Sequence, residues 1–365
     1  MSTNLPEGNA IIYCEGAFNT TNGKTAHGLV RRGRRYIATA VVDSTYAGSD
    51  AGEVLDGRSL GIPIEADIET AMQSARERGI EPSHLVVGLA PDGGRLDAAA
   101  RNDLKTALSR GLHVVCGLHD WLVDDAEMVA LAEHHGVTLT DVRKPPALAE
   151  LHFFSGKIEE VDSLKIAVLG TDSAVGKRTT AWRIVEAYEA EGRTAELIGT
   201  GQTAWLQGAR YSLVMDALVN DFVAGEIEHA VHTAWLERRP DAIVIEGQGS
   251  LMNPAYPGGF EILAAGRPDV VVLQHAPARK EYDGFPGHPL HPLTKQIQAI
   301  ELISARPVVA VTLNHENLGP DGIDPACRAL AHETGLPVFD VLRDGADELV
   351  RVLNTHRTQG SQALA

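Results

Sequence analysis

Continuous apolar runs alternate along the first half of the chain with segments in which apolar residues recur every three to four positions. The runs predict strands and the spaced segments predict helices. The predicted strands are Ala10–Glu15, Tyr36–Asp43, His84–Ala90, His113–Gly117 and Thr138–Val142, and the predicted helices are Asp67–Gly79, Arg95–Gly111 and Asp124–Gly136. Continuously apolar strands that alternate with helices indicate a parallel sheet covered on both faces.

The second half repeats this pattern after an interruption at Pro145-Pro146. Its predicted strands are Lys165–Leu169, Ala195–Ile198, Ala242–Ile245, Val270–Leu273, Val308–Leu313 and Val338–Val341, and its helices include Lys177–Glu191 and Leu293–Ser304. We place a linker between Arg143 and about Val161. The fold class is therefore α/β with two parallel-sheet domains, residues 1–150 and 161–357, and the tail Thr358–Ala365 is predicted to be disordered.

One run of the second half, Leu164–Leu169, leads into a glycine-bounded loop and then a helix that begins with lysine. The segment reads Gly170, Thr171, Asp172, Ser173, Ala174, Val175, Gly176, Lys177, Arg178, Thr179 and Thr180. Such a loop turns backbone N–H groups inward beside a helix N-terminus, and both features favour bound phosphate. We predict a phosphate-bearing ligand at residues 170–180. The alternative is a glycine-rich turn without a ligand.

This loop departs from the common P-loop pattern in two ways. Five residues, rather than four, separate Gly170 from Gly176. Arg178 occupies the position after the lysine, where a hydroxyl normally binds magnesium, and threonines come only at 179 and 180. The longer G-T-D-x-x-V-G-K form resembles the P-loop of dethiobiotin synthetase, which normally has threonine after the lysine. The sequence therefore predicts no metal site of the usual kind.

Polar residues follow four further strands of the second half. These strand ends are Gly199–Thr203, Glu246–Ser250, Gln274–Pro277 and Asn314–Asn317. Ligands bind at the carboxyl ends of strands in open α/β sheets, so we expect one site shared with the P-loop. Gln202 belongs to this group.

Three kinds of candidate chemistry lie in these segments. Glu246 could hold magnesium, orient water or remove a proton from an amine; alternatively it is a buried acid paired with Lys177. His275 and His288 suit proton transfer, since histidine titrates near neutral pH. Arg279 and Lys280 could hold a carboxylate. The alternative for residues 274–292 is a polar surface lid, and no third ligand accompanies His288 and His291 for a metal.

Composition narrows the possible partners. The chain has 365 residues and a net charge of −17, which argues against general nucleic-acid or anionic-membrane binding. Its three cysteines, Cys14, Cys116 and Cys327, form no C-x-x-C motif, so a reducing cytoplasm fits. The first nine residues are polar, and no apolar stretch is long enough for a membrane span.

The whole pattern resembles the D-glutamate N-acetyltransferase family, which has a Rossmann-like N-terminal domain and a P-loop C-terminal domain of the dethiobiotin synthetase type. The residues that carry the resemblance are Gly23–Leu29, Gly117–Asp120, Gly170–Thr180, Gly199–Thr203, Asp221–Glu226 and Glu246–Gly249. The resemblance implies transfer of an acetyl group from acetyl-CoA to a small acidic amino acid. Coenzyme A carries a pyrophosphate and a further phosphate, which a P-loop could hold without magnesium.

On this reading the catalytic base is Glu246, His275 or His288, and Gln202, Arg210, Arg279 and Lys280 are available for the substrate carboxylates. We expect a homo-oligomer and no nucleic-acid or membrane partner. Two other function classes stay open. One is an ATP-dependent ligase or kinase in which Glu246 and Thr179 hold magnesium, and the other is a nucleotide-binding regulator without turnover.

Overall fold

A computed structural model describes residues 5–91 and 93–357, so the tail Thr358–Ala365 lies outside the described residues. The chain divides into two compact units. The N-terminal unit runs to Pro146 and also includes Gln202–Ala209, and the C-terminal unit comprises Ala147–Gly201 and the chain from Arg210 onward. Each unit has one parallel sheet, which confirms the predicted α/β class with two sheets.

The N-terminal unit has the strand order of a Rossmann fold. Its strands are β1 (Gly8–Tyr13), β2 (Tyr36–Val42), β3 (Ile64–Glu65), β4 (His84–Val87), β5 (His113–Cys116) and β6 (Leu139–Asp141). Its helices are α1 (Lys24–Arg31), α2 (Ala51–Asp56), α3 (Ile68–Glu77), α4 (Ala98–Ser109), α5 (Ala126–His135) and, from the later segment, α7 (Gln202–Gln207). The order β3-β2-β1-β4-β5-β6, parallel throughout, is that of the doubly wound dinucleotide-binding sheet.

Helix α7 is part of the N-terminal core although it follows a strand of the other sheet in sequence. Leu206 is fully buried in the same apolar cluster as Ile12 and Phe18. The hydroxyls of Thr203 and Thr25 are 3.1 Å apart, and Gln207 Nε2 donates a 2.8 Å hydrogen bond to a backbone carbonyl of α1. The sequence predicted two domains that are each continuous in the chain, so it did not assign Gln202–Ala209 to the N-terminal unit.

The C-terminal unit has a seven-stranded sheet with the P-loop strand at its centre. Its strands are β7 (Leu164–Gly170), β8 (Ala195–Gly199), β9 (Tyr211–Ser212), β10 (Ala242–Glu246), β11 (Val270–His275), β12 (Val308–Leu313) and β13 (Val338–Phe339). Its helices are α6 (Lys177–Ala190), α8 (Asn220–Arg238), α9 (Phe260–Ala265), α10 (Leu293–Ser304), α11 (Pro320–Thr334) and α12 (Asp347–Asn354).

The strand order is β13-β12-β11-β7-β10-β8-β9, and every pair is parallel. Every residue of β7, β10, β11 and β12 is buried, because helices cover both faces of a parallel sheet. Register pairs Glu246 with Val168 and Gln274 with Gly170. The ends of β10 and β11 therefore flank the P-loop on either side.

The segment predicted as a linker is bound firmly to the C-terminal unit. The carboxylate of Glu228, on α8, accepts hydrogen bonds from the backbone N–H groups of Ser155 and Ile158 and from the Ser155 hydroxyl. A Cβ on Gly225 would lie 1.9 Å from the carbonyl oxygen of His152, so only glycine permits this close approach. In the described part of the chain, no helix combines the length and apolarity that a bilayer crossing requires.

Candidate functional site

The P-loop has the backbone geometry of an anion-binding turn. Ala174 has a φ of 52° and Gly176 a φ of 105°, so two residues of the loop adopt left-handed conformations. Consecutive N–H groups in such turns form a concavity that binds anions, and the N-terminus of α6 follows directly. Asn314 Nδ2 donates a 2.7 Å hydrogen bond to the carbonyl of Val175, which ties the loop to the end of β12.

Lys177 is buried beneath this loop. Its side chain passes Gly170 and Gly247, where an added Cβ would lie 2.8 Å and 3.1 Å from the lysine Cδ. Its ammonium donates hydrogen bonds to the carbonyls of Asp172, at 2.7 Å, and Gly249, at 2.8 Å. Burial lowers the pKa of Lys177 to about 8, although the charges of Glu246 and Asp172 oppose this shift.

We expect this lowered pKa to make phosphate binding at the loop depend on pH. The ammonium attracts phosphate and the neutral amine does not, so affinity is expected to fall as pH rises above about 8, by up to about tenfold per pH unit. Calorimetry with acetyl-CoA from about pH 7 to about pH 10 measures this slope. Lys177→Ala should bind about ten- to a hundredfold more weakly at pH 7 and show no such slope. Parallel pH profiles for the two proteins would exclude the lysine from the site.

Asp172 joins three loops at the edge of the site. Its fully buried carboxylate accepts hydrogen bonds from Asn253 Nδ2 at 2.7 Å, from Arg279 Nη1 at 2.8 Å and from the backbone N–H groups of Ser173 and Asp283. These partners come from the P-loop, the loop after β10 and the segment after β11. The carboxylate thus holds the P-loop against the two segments that border it.

Arg279 completes this arrangement. It donates to Asp172 and to the carbonyl of Ser173, and its other guanidinium nitrogens donate to the carboxylate of Glu316. A guanidinium already held by two carboxylates has little capacity left for a substrate. Arg279 was predicted to hold the substrate, but its contacts favour a role in organising the loops.

Glu246 is a buried carboxylate at the carboxyl end of β10. It accepts a 3.1 Å hydrogen bond from the N–H of Thr200, whose hydroxyl donates to the carbonyl of Glu246. Burial raises the pKa of Glu246, while the charge of Arg178, the Thr200 hydrogen bond and the charge of Lys177 act in the opposite direction. The carboxyl therefore takes up a proton at a higher pH than an exposed glutamate does.

The three residues after Lys177 do not form a magnesium site of the usual kind. Arg178 is half-buried and Thr179 is exposed. Thr180 is buried, and its hydroxyl donates to Gln274 Oε1, which also accepts a 2.6 Å bond from Thr312. Among the described residues, no cluster of three or more His, Cys, Asp or Glu side chains could hold a metal ion.

The two candidate histidines have different surroundings. His275 is buried at the end of β11, and its Nδ1 lies 2.9 Å from the Thr171 hydroxyl. Burial, together with the charges of Lys280 and Arg279, lowers the pKa of His275 to about 4, so its ring is neutral at pH 7. The His288 side chain is exposed and packs against Phe285. Lys280 is an exposed cation whose charge reaches His275, so it stays a candidate for a substrate carboxylate.

One predicted substrate contact, Arg210, is not brought to this edge of the sheet. Arg210 precedes β9, where Tyr211 pairs with Ile198, and its charge acts on Glu196 near the amino end of β8. That end faces away from the P-loop, because the strands are parallel. Gln202 begins α7 and belongs to the N-terminal unit, where its Cγ would lie 2.9 Å from a Cβ placed on Gly117.

Three polar residues that shape the site had no role predicted from the sequence, although two of them, Ser250 and Glu316, lie in the predicted strand ends. Asn253 and Glu316 hold Asp172 and Arg279, and their only sequence signal is a position shortly after a strand end. Ser250 has a buried hydroxyl with no hydrogen-bond partner among the described residues. It lines a cavity of about 10 Å³ with Gln248 and Gln296, about the volume that one water molecule requires.

Comparison with known proteins identifies similar chains over most of this length. The protein-family model described as "Domain of unknown function (DUF1611_C) P-loop domain" matches residues 152–350. The model described as "Domain of unknown function (DUF1611_N) Rossmann-like domain" matches residues 44–145.

Curated relatives and a solved structure match both units. A protein of Tritonibacter scottomollicae, named D-glutamate N-acetyltransferase, is 30% identical over 81% of this chain and 86% of its own length. A protein of Pseudoalteromonas with the same name is 29% identical over 73% of this chain and 80% of its own. The crystal structure of a DUF1611 family protein from Anabaena variabilis, 31% identical, has a TM-score of 0.87 and covers 96% of this chain and 100% of that chain.

Proposed function

Because the chain belongs to the DUF1611 family, we propose that it is an N-acetyltransferase that moves an acetyl group from acetyl-CoA to the amine of D-glutamate or a similar small acidic amino acid. The names of the two curated relatives support the reaction class. The observation that carries the proposal is a phosphate-binding loop with arginine at the metal position, beside a buried carboxylate with a raised pKa, Glu246.

The proposal assigns the P-loop to the phosphates of coenzyme A. Left-handed residues at 174 and 176 and the N-terminus of α6 supply an anion-binding concavity, and Lys177 and Arg178 supply positive charge. The lysine would leave the carbonyls of Asp172 and Gly249, which hold its ammonium through 2.7 Å and 2.8 Å bonds, and move to the phosphate. No bond to phosphorus needs to break, so no metal needs to stabilise a phosphoryl transition state.

Acetyl transfer then requires one proton acceptor. The substrate amine is mostly protonated at pH 7 and must lose a proton to attack the thioester carbonyl. The base takes one proton from the ammonium, the C–N bond forms and the C–S bond breaks. The nitrogen then gives up a second proton, which the departing thiolate of coenzyme A takes up to become free thiol, while the first proton stays on the base. Of the predicted bases, Glu246 fits best, because a raised pKa makes a carboxylate a stronger base, whereas His275 has a pKa of about 4.

The class of acetyl acceptor is inferred from the positive charge available to bind its carboxylates. An acidic amino acid brings two carboxylates, and Lys280 is the exposed cation beside the buried end of β11. Arg279 would act indirectly, because Asp172 and Glu316 already hold its guanidinium. Chirality is assigned only through the names of the relatives.

The test is release of free CoA thiol from acetyl-CoA with a panel of D- and L-amino acids. Thiol release with D-glutamate, and weaker release with its L-form and with neutral amino acids, is the expected result. The ligase interpretation would replace the proposal if no acidic amino acid causes release of CoA thiol and the same panel causes consumption of ATP. If neither reaction occurs, the remaining function class is a nucleotide-binding regulator without turnover.

A ligase or kinase would require magnesium, whereas the proposed acetyltransferase would not. We expect turnover to be unchanged in excess EDTA, because Arg178 occupies the position of the metal-binding hydroxyl and the Thr180 hydroxyl is engaged by Gln274. The measurement is the rate of thiol release with EDTA and with added magnesium. Activity that EDTA abolishes and magnesium restores would favour the ATP-dependent enzyme.

A further inference from the structure

Arg178 lies in the first turn of α6, directly after Lys177. In magnesium-dependent P-loop proteins this position carries a serine or threonine hydroxyl that binds the ion, and an acid at a neighbouring strand end completes the site. Here the corresponding acid is Glu246, at the end of the strand beside β7. The chain thus keeps the acid and replaces the hydroxyl by a cation.

The surroundings of Arg178 leave its guanidinium available. It is half-buried, and among residues 5–91 and 93–357 no hydrogen bond or ion pair holds it. Its charge and that of Glu246 act on each other, so the two groups lie in the same part of the crevice. One oxygen of Glu246 is bound by the Thr200 N–H. Arg279, by contrast, is held by two carboxylates, which shows how this protein fixes an arginine with a structural role.

We propose that the guanidinium of Arg178 takes the place of Mg²⁺ in this P-loop and selects a metal-free pyrophosphate over a magnesium nucleotide. The proposal rests on the proposed function, in which the loop holds the phosphates of coenzyme A. Arginine stays charged at any physiological pH and offers a planar pair of donors that matches two phosphate oxygens. A magnesium ion chelated by ATP would meet this fixed positive charge, so MgATP is disfavoured by repulsion and by lost space.

Arg178→Thr tests this directly, since it restores the usual Gly-Lys-Thr order. Calorimetry with CoA and with ATP, each in EDTA and in magnesium, is the measurement. The wild type is expected to bind CoA equally in both buffers and to bind ATP no better with magnesium. The variant is expected to bind CoA about ten- to a hundredfold more weakly in EDTA and to bind ATP at least about tenfold more tightly with magnesium than without.

Two further variants keep the test interpretable. Arg183→Thr makes the same change on the same helix, at an arginine that lies 3.7 Å from Glu186, and should bind both ligands as the wild type does. Arg178→Lys keeps the charge without the planar fork and should recover part of the CoA affinity in EDTA. Melting temperatures of all variants establish that they are folded.

Three results would overturn the proposal. They are unchanged CoA affinity of Arg178→Thr in EDTA, ATP binding by that variant that does not respond to magnesium, and tighter ATP binding by the wild type when magnesium is added. The last result needs no variant, so it decides the matter even if Arg178→Thr does not fold. If the wild type still releases CoA thiol from acetyl-CoA in any of these cases, the proposed function stands and only the role of Arg178 falls.

Discussion

Glu246→Gln is expected to lower turnover of the acetyl transfer by about a hundredfold to ten-thousandfold, the usual contribution of a positioned general base. Glutamine has the size of glutamate and can accept the hydrogen bond from the Thr200 N–H, which is 3.1 Å in the native protein. It cannot take a proton from the amine. Steady-state thiol release gives the turnover number, and calorimetry should show CoA affinity changed less than about threefold.

The pH profile adds a second readout. The base must be deprotonated, so kcat/KM rises with pH through the pKa of Glu246, which burial sets above the usual value of about 4.3 for glutamate. The pH profile of the wild type should show this rise of kcat/KM at acidic pH, and the profile of Glu246→Gln should lack it. Glu196→Gln is the matched control, because burial also raises the pKa of Glu196 but this residue lies near the amino end of β8. Near-normal turnover of Glu246→Gln would show that the residue is not the base.

Asp172→Ala is expected to lower the free energy of unfolding of the C-terminal unit by about 3–5 kcal/mol. The substitution leaves the guanidinium of Arg279, about nine-tenths buried, without the carboxylate that binds it at 2.8 Å. It also removes the acceptor of three further hydrogen bonds, from Asn253, Ser173 and Asp283. Urea unfolding monitored on the C-terminal unit measures the change.

Glu316→Gln is the control for this prediction. Glu316 binds the same guanidinium, but about a third of its side chain is exposed, so solvent screening keeps the expected loss to about 1 kcal/mol or less. Asp172→Asn should fall between the two, because the amide keeps one acceptor oxygen but not the charge. A loss below about 1 kcal/mol for Asp172→Ala would mean that the three loops do not depend on this carboxylate.

The apolar runs predicted eleven of the thirteen strands in the described residues. The prediction for Val308–Leu313 coincides with β12, and Leu293–Ser304 coincides with α10. A strand buried on both faces is apolar at most positions, so such a strand can be recognised directly from the chain. The short strands β3 and β9 were not predicted, because two residues carry no periodic signal.

The sequence by itself therefore determined the parallel architecture, the P-loop and the strand ends that surround it, since all three follow from local patterns of burial and glycine. Only the tertiary structure decided which polar side chains act together. Arg210 and Arg279 are both arginines in polar segments, yet one lies toward the opposite end of the sheet and the other is held by Asp172 and Glu316. Such assignments depend on strand order and on the paths of long loops, because contacts between residues about a hundred positions apart leave no trace in local sequence.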